Sequence, residues 1–156
     1  MKLYGIFIGI DSYKDSMIQS LKYAKADAQE FHKLLKHRLN PSDCELQLLV
    51  DKHATKRQIM TTIGEDISRL SKADDIVIIH FSGHGSPETF GSIDKVSRYL
   101  IAYDTEYHNV FATGIDMERD LSILFQRIRA QLIVLFLDSC FSGMAGGRTF
   151  EGPCIR

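Results

Sequence analysis

Disulfide and metal-clamp chemistry are missing from this chain: its three cysteines, Cys44, Cys140 and Cys154, are odd in number and follow neither a disulfide framework nor a Cys-x-x-Cys spacing. A reducing compartment is the simpler inference. An excess of either charge is missing too. Lys and Arg number 19 against 20 Asp and Glu, for a net charge of -1, and no basic cluster stands out, so neither nucleic acid nor an anionic membrane surface is indicated as a partner. The N-terminal apolar stretch, Leu3 to Ile10, is too short and too interrupted by Gly5 and Gly9 for a signal peptide or a membrane span. A cytoplasmic location is the resulting expectation. No P-loop, Gly-x-Gly-x-x-Gly or Gly-x-Ser-x-Gly sequence occurs, which removes the usual nucleotide-binding and serine-hydrolase chemistries. His80 and His84 stand four apart, but they span a strand end and lack the Glu of His-Glu-x-x-His, so a zinc-protease site is not expected.

What is present fits one soluble globular domain with one core: 156 residues, 44% hydrophobic and 25% charged, without repeats or an internal linker. Leu3–Ile10 reads as a first core strand, followed by a polar loop from Asp11 to Ser16 and a helix from about Gln19 to Leu39 that Asn40-Pro41 ends. Glu45–Val50 is a second strand. Thr55 is a plausible N-cap for a second helix, whose Ile59, Ile63, Ile67 and Leu70 share one face. Ile76–Phe81 is a third strand, and Tyr99–Asp104 a short strand or a buried loop edge. A third helix is predicted from about Ile115 to Arg129. It leads into Leu132–Leu137, an unbroken apolar run suited to a strand covered on both faces. The order β-α-β-α-β-loop-α-β argues for an α/β fold with a mostly parallel central sheet and helices on both faces.

Chemistry in such sheets gathers at the C-terminal ends of the strands, and two motifs fall there. Cys140 follows the Leu132–Leu137 strand in Asp138-Ser139-Cys140-Phe141-Ser142-Gly143, and His84 follows the third strand in Ser82-Gly83-His84-Gly85-Ser86. A free thiol titrates at about 8.5 and needs a base to become a nucleophile at neutral pH. Neighbouring parallel strands would bring His84 to that task. Gly83 and Gly85 let the backbone turn sharply and leave N–H groups accessible, so the amides of Gly85 and Cys140 are candidates for an oxyanion hole. The bland alternative for either residue alone is a loop-closing histidine or a small core cysteine.

Phe81-Ser82-Gly83-His84-Gly85 and Leu137-Asp138-Ser139-Cys140-Phe141-Ser142-Gly143 resemble the His and Cys motifs of caspase-like peptidases, with the greatest likeness to metacaspases and their prokaryotic relatives. The resemblance also covers Ile8-Gly9-Ile10-Asp11, Leu21 to Ala28 and Tyr99 to Asp104; one departure is Ala102, where relatives often carry proline. It implies a three-layer caspase-like fold and a cysteine endopeptidase with a Cys-His dyad. In that dyad Cys140 is the nucleophile and His84 assists proton transfer to the leaving amine, while the amides of Gly85 and Cys140 hold the oxyanion. It further implies that the residue before the cut is Arg or Lys, read by acids matching Asp27 and Asp138, whereas true caspases read aspartate with arginines.

Asp27 stands out independently: at about 100° per residue it projects from the apolar stripe of Leu21, Ala24, Ala28, Phe31, Leu34 and Leu35. A carboxylate so placed needs a cation, a hydrogen-bond network or a ligand; a solvated helix edge is the alternative. Asp138, two before Cys140, would point to the side of the nucleophile. Asp116, Glu118 and Asp120 could serve calcium, which some metacaspases use as an activator, or could be acids favoured by a helix N-terminus. No cofactor or resident metal is otherwise expected.

The expected catalytic domain is 1–143, with 144–156 a flexible tail that ends at Arg156. An enzyme with an acidic pocket would cut after arginine, so Arg156 is read as a processing point, used by the protein itself or by an upstream activating protease. The strand Leu132–Leu137 then lacks a neighbour, and the resemblance implies a small-subunit fragment that completes the sheet. Stress or antiviral defence is a role of prokaryotic relatives. Competing functions are a non-catalytic caspase-like interaction module, which the presence of both His84 and Cys140 disfavours, and a small-molecule cysteine hydrolase.

Overall fold

The computed structural model describes residues 1–89 and 96–139. Cys140, the boundary at 143, the tail 144–156 with Arg156, and residues 90–95 lie outside them. Four strands form an all-parallel sheet: β1 (Leu3–Gly9), β2 (Cys44–Val50), β3 (Ile76–Ser82) and β7 (Leu132–Asp138), in the order β2-β1-β3-β7. A small antiparallel sheet of β4 (Gly85–Thr89), β5 (Val96–Leu100) and β6 (Ile115–Asp116) follows the end of β3. The helices are α1 (Ala24–Arg38), α2 over 56–70, the short α3 (Val110–Thr113) and α4 (Arg119–Arg127).

The pleat divides the central sheet into two unlike faces. Ile6 and Ile8 of β1 pair in register with Ile79 and Phe81 of β3, which pair in turn with Leu135 and Leu137 of β7. The buried members of this face pack against Ile59, Ile63 and Ile67 of α2 and Leu121 and Leu124 of α4 in the main core. The opposite face carries Phe7, His80 and Phe136 in one row and Gly9, Ser82 and Asp138 in the next. Helix α1 covers it, with the Phe31 ring 5.2 Å from Phe7, 5.3 Å from His80 and 5.5 Å from Phe136. Gly9 permits that approach, because a Cβ there would lie 2.4 Å from the Ala24 carbonyl oxygen and 2.7 Å from the Ala28 Cβ. The three-layer α/β arrangement expected from the sequence is therefore the fold.

Local signals explain most boundaries. Thr55 is the N-cap of α2, its Oγ1 accepting from the Gln58 N–H at 3.1 Å. The helix widens into a π-helical stretch at Thr62–Ile67, where a Cβ on Gly64 would meet Leu124 Cδ2 at 2.9 Å. The helix predicted from Gln19 begins only at Ala24. Residues before it are held elsewhere: Ile18 is buried with Tyr99, Ile101 and Val110, and the Leu21 N–H bonds the Asp11 carbonyl at 2.7 Å. The helix predicted over 115–129 is also shorter. Ile115 and Asp116 pair with β5, and Asp116 Oδ1 then accepts the N–H groups of Glu118 at 2.9 Å and Arg119 at 2.8 Å, which starts α4 there. The stretch from Tyr99 is strand to Leu100 and then a fully buried loop at Ile101 and Ala102. Among the described residues β7 is the outermost strand of its sheet. Against the expectation of cover on both faces, it leaves Leu132, Phe136 and Leu137 exposed.

Candidate active site

The C-terminal edge of the sheet is held by a loop braced from β2. Asp51 follows β2 with φ 46°, a left-handed conformation that Asp tolerates better than most residues. Its Oδ1 accepts the N–H groups of Asp11 at 2.9 Å and Ser12 at 3.2 Å, while Oδ2 meets Lys25 Nζ at 2.9 Å. Burial opposes ionisation of this carboxyl, but the Lys25 ammonium and the two amides outweigh it and hold its pKa below the usual carboxylate value.

That loop delivers Tyr13 to His84. The Tyr13 hydroxyl donates to the Ile10 carbonyl at 3.3 Å and accepts the His84 N–H at 3.0 Å, and the two rings lie 5.3 Å apart. His84 is buried, and its Nε2 lies 2.7 Å from the Gln19 carbonyl oxygen. A carbonyl can only accept, so Nε2 carries the hydrogen and Nδ1 is the lone-pair nitrogen of the neutral ring. The non-helical segment before α1 thus has a use: it presents the Gln19 carbonyl that fixes the tautomer.

Gly85 opens β4. The Ile101 N–H bonds the His84 carbonyl at 3.0 Å, so the next pair of the ladder, Gly85 and Leu100, is of the non-hydrogen-bonded kind. The Gly85 N–H therefore points away from β5. Gly83 adopts no left-handed conformation. The chain bends at Gly83 between β3 and β4 without that conformation, and its lack of a side chain spares contacts of 3.2 Å with the Phe81 ring and 3.3 Å with the Tyr13 hydroxyl.

The end of β7 joins the same edge. The Gly83 N–H donates to the Asp138 carbonyl at 3.3 Å, and the Ser82 hydroxyl donates to Asp138 Oδ2 at 3.2 Å. The His84 loop is thereby tied to the chain two residues before Cys140, which itself lies outside the described residues. Asp27, half-buried on the α1 face, and Asp138, exposed at the end of β7, both act on one buried group, His80. Burial lowers the His80 pKa below the usual imidazole value, with Asp138 and then Asp27 pulling the other way. Leu34, assigned with Asp27 to an apolar stripe, is exposed at 51%, so the covered face of α1 is narrower than expected.

Sequence reasoning missed Tyr13, Ser82, His80 and the Gln19 carbonyl. Alternation from His84 back along β3 could have found Ser82 and His80, which share the α1 face. Nothing local marks Tyr13 or a backbone carbonyl. Two of the three acids considered for calcium are engaged within the protein: Asp120 meets Lys56 at 3.0 Å and Arg119 at 3.1 Å, and Asp116 accepts the N–H groups of Glu118 and Arg119. Among the described residues no cluster of three His, Cys, Asp or Glu side chains could hold a metal, and no helix is long and apolar enough to cross a membrane.

A family model described as the caspase domain matches residues 4–153. Among solved structures, the crystal structure of protein GSU0716 from Geobacter sulfurreducens superposes with a TM-score of 0.73 at 22% identity. The match covers 92% of this chain and 52% of that one, so the chain spans about half the length of this solved relative. At this identity the likeness speaks for the fold. No curated protein matches the chain.

Proposed function

The chain belongs to the caspase domain family, a family of cysteine peptidases, and from that premise we propose that it is a Cys140–His84 endopeptidase of metacaspase type that cleaves after Arg or Lys. One observation carries the specificity: Asp27 and Asp138 converge on the same face of the sheet edge that holds the His84 loop, beside Ser82. Two acids there suit a guanidinium or ammonium group and penalise an aspartate side chain by like-charge repulsion.

In the proposed reaction the Cys140 thiolate attacks the scissile carbonyl carbon, and the developing oxyanion takes hydrogen bonds from the amides of Gly85 and Cys140. The Gly85 N–H, turned away from β5, is suited to that role. His84 holds the thiol proton on Nδ1 and gives it to the leaving amine as the C–N bond breaks, leaving a thioester. Water then attacks the thioester, with Nδ1 taking its proton, and releases the acid and the thiol. The Gln19 carbonyl stabilises the imidazolium through Nε2–H in both half-reactions.

We also propose that a second portion of the protein, equivalent to a caspase small subunit, pairs with β7 and completes the cleft. The exposed Leu132, Phe136 and Leu137 on that strand support it. The test is a fluorogenic peptide series on the complete protein: Arg- and Lys-ended peptides are expected to be turned over and Asp-ended ones refused, with all turnover lost in Cys140→Ala. Equal turnover of Arg- and Asp-ended peptides would overturn the acidic pocket.

A further inference from the structure

We propose that His80 is a specificity-determining residue of the basic-side-chain pocket, which admits a substrate cation only while the His80 ring is neutral. The inference rests on the Arg or Lys specificity proposed above and adds to it a group that the sequence motifs offer only as half of a rejected zinc pair.

The geometry is unusual for a core residue. His80 is 8% exposed, yet its Nδ1 is buried without a hydrogen-bond partner. A buried polar atom without a partner is costly and calls for an explanation such as a ligand. The ring stands in register beside Phe136 of β7, with Phe7 of β1 at 6.4 Å and Phe31 of α1 at 5.3 Å, so three aromatic side chains surround it. One residue pair further along, on the same face, stand Ser82 and Asp138. The charged groups that reach His80 are both acids, Asp138 from β7 and Asp27 from α1. From β1 it is Phe7 that faces the ring, and His32 of α1 lies beyond Phe7, its ring 5.6 Å from that ring.

Neutral, the ring leaves the charge of the two carboxylates, Asp138 and Asp27, uncompensated, which suits a guanidinium. Protonated, it adds a positive charge on which both acids act, and weakens the field that would attract the substrate. Burial keeps the ring neutral at physiological pH. Substrate affinity should then fall on the acid side of the usual imidazole range, and the fall should appear in KM and not only in kcat.

The experiment measures KM and kcat separately between about pH 5 and 7.5 for the complete protein, with an Arg-ended peptide and its citrulline-ended neutral counterpart. In the wild type, KM for the Arg peptide should rise by up to about tenfold per pH unit below the His80 pKa, with no such slope for citrulline. His80→Gln and His80→Phe should both flatten the KM profile; the second fits the aromatic surroundings and guards against a folding failure in the first. An acid slope in KM that persists in both variants would assign it to the carboxylates and overturn the role of His80. A wild type that prefers Arg yet shows a flat KM also sinks the inference and leaves the proposed specificity standing. A wild type with no preference for the Arg peptide over the citrulline peptide at about pH 7.5 removes both.

Discussion

At the scale of single residues, the candidate site depends on groups that hold His84 in place. Tyr13→Phe removes the acceptor of the buried His84 N–H and the donor to Ile10. It should cost about 1–3 kcal/mol of stability, read by denaturant unfolding, and lower kcat with little change in KM. His84→Ala should lower kcat by about 10²–10⁴-fold. Two further histidines, the buried His80 and the half-buried His32, set an acid limit to stability. Burial lowers the pKa of His80 against the pull of Asp138 and Asp27, and burial and Lys36 lower that of His32 against the Leu46 backbone hydrogen bond. The unfolded chain then takes up protons first as pH falls through about 6.5, so stability is lost below that value and levels off below the folded-state pKa. Unfolding midpoints between about pH 7 and 5 should fall in the wild type and fall less in His80→Phe.

Among the elements, the approach of α1 to the sheet is the critical spacing, since it sets where Asp27 stands relative to Asp138. Gly9→Ala would press a methyl group into the Ala24 carbonyl and Ala28. It should destabilise the protein by about 1–3 kcal/mol or more, seen as a lower Tm, and raise KM for Arg-ended peptides as α1 moves away. The strands and the first and second helices were legible because their apolar residues follow the period of the element that buries them. The boundaries that failed are those where tertiary partners override local pattern. Gln19 to Tyr23 reads as helix but is claimed by Asp11 and His84, and Ile115 reads as the start of α4 but is paired into β5.

For the whole molecule, the proposed function gathers on one edge of the sheet, to which the end of β3, the end of β7 and the first turn of α1 each bring a residue widely separated in sequence. His84, Asp138 and Asp27 were legible as types at strand ends and on a helix face. That Asp27 and Asp138 both act on His80 was not, because it depends on strand register and on how close Gly9 lets α1 come. The central claim is that this edge reads a positive charge with two acids. Its most direct test is digestion of an unbiased peptide library by the complete protein, wild type against Asp27→Ala and Asp138→Ala. The account predicts cuts confined to Arg and Lys in the wild type, with kcat/KM for those sites lower by roughly 10- to 100-fold in each variant, as expected for loss of a charge-assisted hydrogen bond. Cleavage after Asp or after apolar residues by the wild type, or an unchanged Arg and Lys preference in both variants, would contradict it.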